Sequence, residues 1–188
     1  SYQDDRAIAY AARAVELSPD DAEGHQRLGE MYRERQDIEN AISEFRQALS
    51  KNDRLFAVHF QLAELLINRE QVEEADQLLR HVLRASPDEQ LISRAVHLSM
   101  QIHLGRGTLE SLEKELLPIA LGHPSRPVYR RLLVEIYGAL AFPLANQAKS
   151  QDTQVAAQAR AGLSRLGQRA VKPLLDAPPS IGAPAGMG

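Results

Sequence analysis

The chain has 188 residues, which is enough for one domain of ordinary size or for a short stack of repeats. Its 22 Lys+Arg against 25 Asp+Glu give a formal net charge of -3, so it lacks the basic balance typical of DNA- and RNA-binding proteins. Cysteine is absent, which excludes disulfides, thiol catalysis and Cys-based zinc sites.

No segment reaches the roughly 20 apolar residues that a membrane-spanning helix requires, so no direct membrane insertion is expected. The first ten residues contain neither a basic region nor an apolar stretch, and no signal peptide is visible. We therefore expect a cytoplasmic protein. The chain also lacks an initial Met, from which we expect a piece or a processed form of a longer protein. A periplasmic location would follow if an upstream signal had been removed.

The first predicted helix has alanines at helical spacing, Ala7, Ala11 and Ala14. They match only the second helix of the units that follow, so the chain starts halfway through a unit. The apolar positions Ile8, Ala11, Ala12 and Val15 of this helix can be covered on one side by the next unit. The other side would be exposed unless an upstream segment or another molecule covers it. Self-association through this open half unit is an expectation, and the oligomeric state is left open.

A pattern that repeats about every 34 residues follows. Ser-Pro-Asp motifs contain Pro19 and Pro87, whose separation is twice that period. The first helix of each unit has an inward set at i, i+3, i+4 and i+7. These sets are His25, Leu28, Gly29 and Tyr32, then His59, Leu62, Ala63 and Leu66. The second helices contribute Ala41, Phe45 and Ala48, then Ala75, Leu79 and Val82.

A third unit continues the pattern less regularly. Its second half is predicted to be slipped by about three residues, because Pro124 comes later after Pro87 than one period would place it. His97 falls in a slot where a small residue is expected. The full inward set predicted for this unit is Ser93, Val96, His97 and Met100.

This pattern resembles the tetratricopeptide repeat (TPR) family. The resemblance rests on small residues where two helices cross, an aromatic residue in the second helix, and prolines at unit ends. These are Gly29, Ala63, Ala41, Ala75, Phe45, Pro19 and Pro87. The resemblance implies an all-α fold, a right-handed α-solenoid of antiparallel helix pairs forming a TPR-like superhelix. Residues 1–124 would hold a half unit and then about three units.

Residues 125–176 are predicted to form additional helices, the first over 127–139. The part from Phe142 resembles a HEAT-type repeat, with Asp152 as the N-cap of its second helix and Gly167 as the C-cap. A further helix would start at Ala170. The quoted positions of this repeat are Pro143, Leu144, Asp152, Val155, Ala159, Leu163, Leu166 and Gly167. Residues 177–188 cannot pack a core and are predicted to be disordered.

No catalytic or metal-binding motif emerges from the six histidines and the serines. His25 and His59 share one repeat position, which indicates core packing, and His81 and His123 are isolated, which indicates surface roles. HExxH and GxSxG motifs are absent. The sequence GRGT at 105–108 is interpreted as a turn between helices with Thr108 as N-cap. We therefore predict no enzyme, no cofactor, no metal ligands and no catalytic residues.

In the TPR family the first helix of each pair lines a concave groove. An exposed Phe60 is predicted to be an apolar anchor for a bound segment, although Ile67 and Leu98 would alternatively pack between units. The predicted groove residues are Gln26, Glu30, Arg33, Phe60, Glu64, Ile67, Asn68, Arg94, Leu98 and Gln101.

Some family members grip a peptide's terminal carboxylate with a Lys/Asn/Arg clamp. The corresponding positions here contain no cation, and Glu30 would repel a carboxylate. They are Gln26, Glu30, Gln61, Leu91 and Ala95. Binding of a chaperone tail is therefore disfavoured.

Two functions from different classes fit this sequence. The first is a non-catalytic protein–protein interaction scaffold that binds a protein or peptide segment in the concave groove. The alternative is an accessory module of a larger enzyme, or of a secretion or pilus assembly protein, whose active or anchoring part lies outside this chain. Nucleic acid is not expected as a partner, because the net charge and the 5% aromatic content argue against it.

Overall fold

The computed structural model describes residues 2–175, and the side chains of residues 5–171. Over this range the chain forms nine α-helices and no strand, so the predicted all-α class is confirmed. The helices fall into two compact units, the first ending at Ile102 and the second beginning at His103. These compact units are larger than the repeat units of the sequence pattern. They are α1 (Tyr2–Leu17), α2 (Ala22–Glu34), α3 (Ile38–Lys51), α4 (Phe56–Asn68), α5 (Val72–Ala85), α6 (Glu89–Arg106), α7 (Leu109–Gly122), α8 (Pro127–Gln147) and α9 (Thr153–Leu175).

In the first unit each helix packs on the next one along the chain, from α1 to α5. Connections of a few residues make successive helices antiparallel neighbours. A continuous core follows this stack, and its largest fully buried members are Phe45, Leu62, Leu66 and Leu79. In a solenoid no helix pair buries its apolar face alone, and each pair shares its core with the neighbouring pairs. The first compact unit packs in this way.

The turns between paired helices repeat with the sequence. Gln36 between α2 and α3 has φ 62°, and Glu70 between α4 and α5 has φ 60°, one repeat period later. Gly107 between α6 and α7 has φ 67° and comes slightly more than one period after Glu70. The extra residues agree with the predicted slip and belong to α6, which has 18 residues where α2 and α4 have 13.

The register predicted for the third repeat unit, whose first helix is α6, is wrong by one residue. His97 is exposed, and neither Ser93 nor Met100 is fully buried. The inward positions of α6 come one residue earlier than a full repeat period after those of α4. Apolar and small side chains therefore occupy the inward face of α6, and the His97 imidazole points outward. The buried set is Ile92, Ala95, Val96 and Ser99.

The prediction for α1 is also wrong in detail, because Ala7 and Ala14 are exposed. Helix α1 packs on α2 and, among the described residues, on no helix before it. Its contact face consists of half-buried residues and contains no fully buried one among the side chains described. These half-buried residues are Ile8, Ala11, Ala12 and Val15.

In the second unit α8 packs on both α7 and α9, and α7 also contacts α9. The side chain of Asp152 caps α9 as predicted, because its Oδ1 accepts hydrogen bonds from the backbone N–H groups of Gln154 (2.8 Å) and Val155 (3.2 Å).

Two predictions for α9 are wrong. Gly167 lies inside the helix instead of ending it, and no new helix starts at Ala170. A glycine in a helix interior costs only about 1 kcal/mol, which the remaining contacts of a long helix can offset. The HEAT-like repeat is not confirmed, and the tail predicted at 177–188 lies outside the described residues.

Candidate partner-binding surface

Helices α2, α4 and α6 of the first unit contribute the ten predicted groove residues. Asn68, Arg94 and Gln101 are exposed, whereas Phe60 is buried. The others are half-buried, which is typical of side chains lining a groove. These are Gln26, Glu30, Arg33, Glu64, Ile67 and Leu98.

The prediction that Phe60 is an exposed anchor is wrong. Its side chain is 4% exposed and belongs to the core, and the Arg94 guanidinium carbon lies 4.2 Å from the ring centroid. Helix α4 is apolar on almost every side, so it is enclosed by its neighbours rather than presenting a free apolar stripe. The Arg94 guanidinium covers one face of the ring in a cation–π contact within the chain.

Ile67 and Leu98 pack partly buried against the same core. The alternative interpretation of these two side chains, packing between units, is therefore the one that the structure supports. They leave the polar members of the predicted groove as the groups available to a partner.

A polar row crosses from α2 to α4. Glu30 Oε1 accepts hydrogen bonds from Gln26 Nε2 (3.0 Å) and from Gln61 Nε2 (3.4 Å). The Oε1 atom of Gln61 is buried and has no hydrogen-bond partner within the described part of the chain. A buried acceptor without a donor is costly, so this atom lowers the stability of the row.

Beside this row lies a cavity of about 300 Å³ that the sequence pattern did not identify. It is formed by the turn before α4, the turn before α6 and Gln26 of α2. Its lining is mainly apolar, with charged groups at Arg54 and Asp88. The apolar lining residues are Leu55, Phe56, Ala57, Pro87 and Leu91. The two turns lie at equivalent positions of successive repeats. The repeat period is therefore the sequence signal from which their proximity could have been predicted.

The histidines at the shared repeat position are core residues, as predicted. His25 is 6% exposed, with Nδ1 2.7 Å from Glu44 Oε2 and Nε2 3.1 Å from the Pro19 carbonyl oxygen. His59 is equally buried, and its Nδ1 lies 3.2 Å from the Leu55 carbonyl oxygen. These contacts hold both rings within the repeat.

The prediction that His81 is isolated is wrong. Its ring stacks on His59 with centroids 4.4 Å apart and an angle of 19° between the planes. Burial lowers the pKa of His59 from its ordinary value of 6.5. The hydrogen bond to the Leu55 carbonyl opposes this, and the neighbouring His81 lowers the pKa by a smaller amount. The pair is therefore more stable with a neutral His59.

The second unit contains a buried polar group of its own. The Tyr137 hydroxyl donates to Glu113 Oε1 over 3.0 Å, and Glu113 is 2% exposed. Burial and then the Glu113 hydrogen bond raise the pKa of Tyr137 to about 12. Arg169 Nη2 lies 3.8 Å from Glu113 Oε2, so the carboxylate is partly compensated and the network links α7, α8 and α9. Its groups stabilise one another and none is set up as a nucleophile.

Among the described residues, no group of three or more His, Asp or Glu side chains is placed to hold a metal ion. Within the same range, no helix combines the length and apolarity that crossing a bilayer requires.

At the turn before α7, Thr108 occupies the N-cap position, but its Oγ1 lies 2.8 Å from His103 Nδ1 and does not cap the helix. The predicted capping role of the Thr108 side chain is therefore wrong.

One part of the chain matches a known protein family. Residues 32–96, which are 65 of the 188, match the tetratricopeptide repeat family. That range covers α3, α4 and α5 and the start of α6. It includes every residue that lines the cavity except Gln26 of α2. A search of curated protein sequences finds no match.

Similar solved structures are distant in sequence. A monomeric IFIT1 mutant with m7Gppp-AAAA shares 14% identity, with a TM-score of 0.47 over 96% of this chain and 40% of that one. The human IFIT1 dimer with the same ligand gives 14% and 0.45, over 93% and 40%. YrrB, described as a TPR protein with an unusual peptide-binding site, gives 13% and 0.44, over 88% and 93%. The chain thus spans about 40% of the IFIT1 chains, and likenesses of this size carry no argument about its function.

Proposed function

We propose that this chain, a third of which matches the tetratricopeptide repeat family, is a non-catalytic scaffold that binds a protein or peptide segment along the inner surface of α2, α4 and α6. TPR repeats are interaction modules, which supports the general role. The position of the surface on the three first helices of successive units supports the finer one.

The observation that carries the proposal is the cavity beside Gln26. A pocket of about 300 Å³ with an apolar lining suits one apolar side chain of a bound segment. The polar row lies next to it, and its half-buried members Gln26 and Glu30 offer acceptors for the segment's N–H groups. An apolar anchor flanked by polar contacts is the usual anatomy of a peptide site. The anchor therefore belongs to the partner and not to Phe60.

A catalytic role finds little support in the same region. The inner surface combines half-buried acids and amides with no nucleophile held against a base. His25 and His59, the imidazoles nearest to this surface in the repeat, make their contacts inside the core. The alternative role as an accessory module of a larger enzyme or assembly protein rests on no observation among the described residues.

The test uses short random peptides displayed on phage and selected on the wild-type chain. Ala57 lines the cavity and is exposed, so Ala57→Arg fills the pocket without changing the core. Ala14→Arg is the matched control, because Ala14 is exposed on α1, outside the inner surface. We expect selected peptides to bind the wild type and the control equally and Ala57→Arg at least about tenfold more weakly, as loss of a buried anchor implies. Equal binding by all three proteins, with unchanged helicity, would place the site elsewhere.

A further inference from the structure

A second cavity lies in the second unit, where α7, α8 and α9 meet, and has a volume of about 310 Å³. Its floor is apolar and is formed by Leu140, Pro143, Leu144 and Leu166. Gly162 keeps the floor open, because a Cβ at this position would come within 3.2 Å of the Leu144 side chain. The volume is at the lower end of the range for small-molecule sites, and the lining is of the kind that such sites use.

The rim of this cavity is cationic. Arg165 and Arg169, one turn apart on α9, both line it, and Glu110 of α7 is the one acid in the lining. Arg169 Nη2 lies 3.6 Å from Glu110 Oε1 and 3.8 Å from Glu113 Oε2, so the two carboxylates are both directed to the same guanidinium. Arg165 forms no hydrogen bond or ion pair with any residue that the structure describes. Arg165 is therefore the one guanidinium of the lining without a carboxylate partner among these residues, while Arg169 faces two.

The surroundings have the same sign. From Thr153 to Val171, α9 contains three arginines and no acidic residue. From residue 103 onward the sequence has 10 Lys+Arg against 6 Asp+Glu, a formal net charge of +4, whereas residues 1–102 have 12 against 19, a net charge of -7. The positive charge of the chain is thus concentrated in the unit that holds this cavity. A field of this sign favours an anion at the rim.

We infer that this cavity binds an apolar monocarboxylate, a small molecule with one carboxylate on an aliphatic body. The aliphatic body fits the leucine and proline floor, where removal from water stabilises it. The carboxylate meets Arg165, whose planar guanidinium can donate two parallel hydrogen bonds to it. One carboxylate pairs with Arg165, which has no carboxylate partner in the described part of the chain, whereas a second would face Glu110. The inference is independent of the surface proposed for protein partners in the first unit.

Octanoate and octanol provide a direct test, because they share the aliphatic chain and differ in the carboxylate. Each is titrated into the full chain while the backbone amide resonances are followed by NMR. Octanoate is expected to shift the amide signals of Gly162 and Leu166, which line the cavity. Octanol is expected to bind the same site about tenfold more weakly, since it lacks the charge-assisted hydrogen bonds to Arg165.

Two variants with the same change of charge complete the experiment. Arg165→Gln should weaken octanoate about tenfold and leave octanol within about twofold, because only the carboxylate uses the guanidinium. Arg131→Gln, at an exposed position of α8 that does not line the cavity, should leave both affinities unchanged. Equal affinity for octanoate and octanol, equal effects of the two variants, or no shift at Gly162 and Leu166 would each overturn the inference. Circular dichroism of each variant shows that its fold is retained.

Discussion

Gly29 of α2 lies directly against the ring of Phe45 of α3. A Cβ added to Gly29 would come within 2.7 Å of ring atoms Cδ1 and Cε1, closer than side chains tolerate. The equivalent positions in the next repeat unit are Ala63 and Leu79, which are both fully buried. The close approach of paired helices therefore depends on small residues at the positions that the repeat pattern singled out.

Gly29→Ala should lower the free energy of unfolding by about 1–3 kcal/mol, because the Phe45 ring must move to admit the methyl group. This effect opposes the helix propensity of alanine, which alone would stabilise the helix by about 1 kcal/mol. Gly138→Ala is the matched control, since nothing lies within 4 Å of a Cβ at Gly138, and it should be stabilising. Urea unfolding followed by circular dichroism measures both. A stabilising Gly29→Ala would show that the crossing is looser than described.

Phe60→Ala should destabilise the chain by about 3–5 kcal/mol, because a 4% exposed aromatic ring is removed from the core. Arg94→Ala should cost only about 0.5–1 kcal/mol, the size of a cation–π contact at an exposed position. The difference between the two variants in thermal unfolding separates a core residue from a surface anchor. A Phe60→Ala chain with unchanged stability would restore the interpretation that this ring is free for a partner.

Gln36 and Glu70 hold left-handed backbone conformations, which cost a side chain other than glycine about 1–2 kcal/mol. Gln36→Gly should stabilise the chain by about 0.5–1 kcal/mol, because the relief of strain exceeds the added entropy of the unfolded state. Gln36→Val should be destabilising, since a β-branched residue tolerates this conformation poorly. Denaturant unfolding of both variants gives the two signs, and a destabilising glycine would contradict the backbone geometry.

Stability should fall when the pH decreases from about 7.5 to 5, and His59 should contribute to this fall. Its pKa in the folded state is lower than the ordinary 6.5, chiefly because of burial. A group with a lowered pKa contributes its full stability above the unfolded value and loses it as the pH falls through the folded one. His59→Leu should therefore show a smaller loss over this range, whereas replacing the exposed His123 by Asn should not. An unchanged pH profile in His59→Leu would remove His59 as a cause.

The regular part of the fold could be predicted because its constraints repeat at a fixed period. The pattern places the inward sets containing Leu28, Leu62, Phe45 and Leu79 correctly, since only apolar or small side chains fit between stacked pairs. The third unit could not be placed in the same way, because its first helix starts slightly less than one period after the previous one and is five residues longer. A fixed frame therefore assigns His97 to the core.

The candidate sites were harder to predict for two physical reasons. Helix α4 is apolar on nearly all sides, so the pattern did not distinguish the buried Phe60 from an exposed one. Both cavities are made by residues from separate helices and turns, and no local spacing marks them. The end of α9 is predicted too early because Gly167 suggests a stop, although a single glycine does not end a long helix.

The proposed function requires that a partner segment bind the inner surface of α2 and α4 with its anchor between the turns before α4 and α6. Amide hydrogen–deuterium exchange, with and without a peptide selected on the wild-type chain, tests it most directly. We expect the peptide to increase protection over residues 26–30, 54–61 and 86–91 of the wild-type chain. In the Ala57→Arg variant the same peptide should leave the protection of these residues unchanged. Protection confined to α1 or to residues after 103 would contradict it.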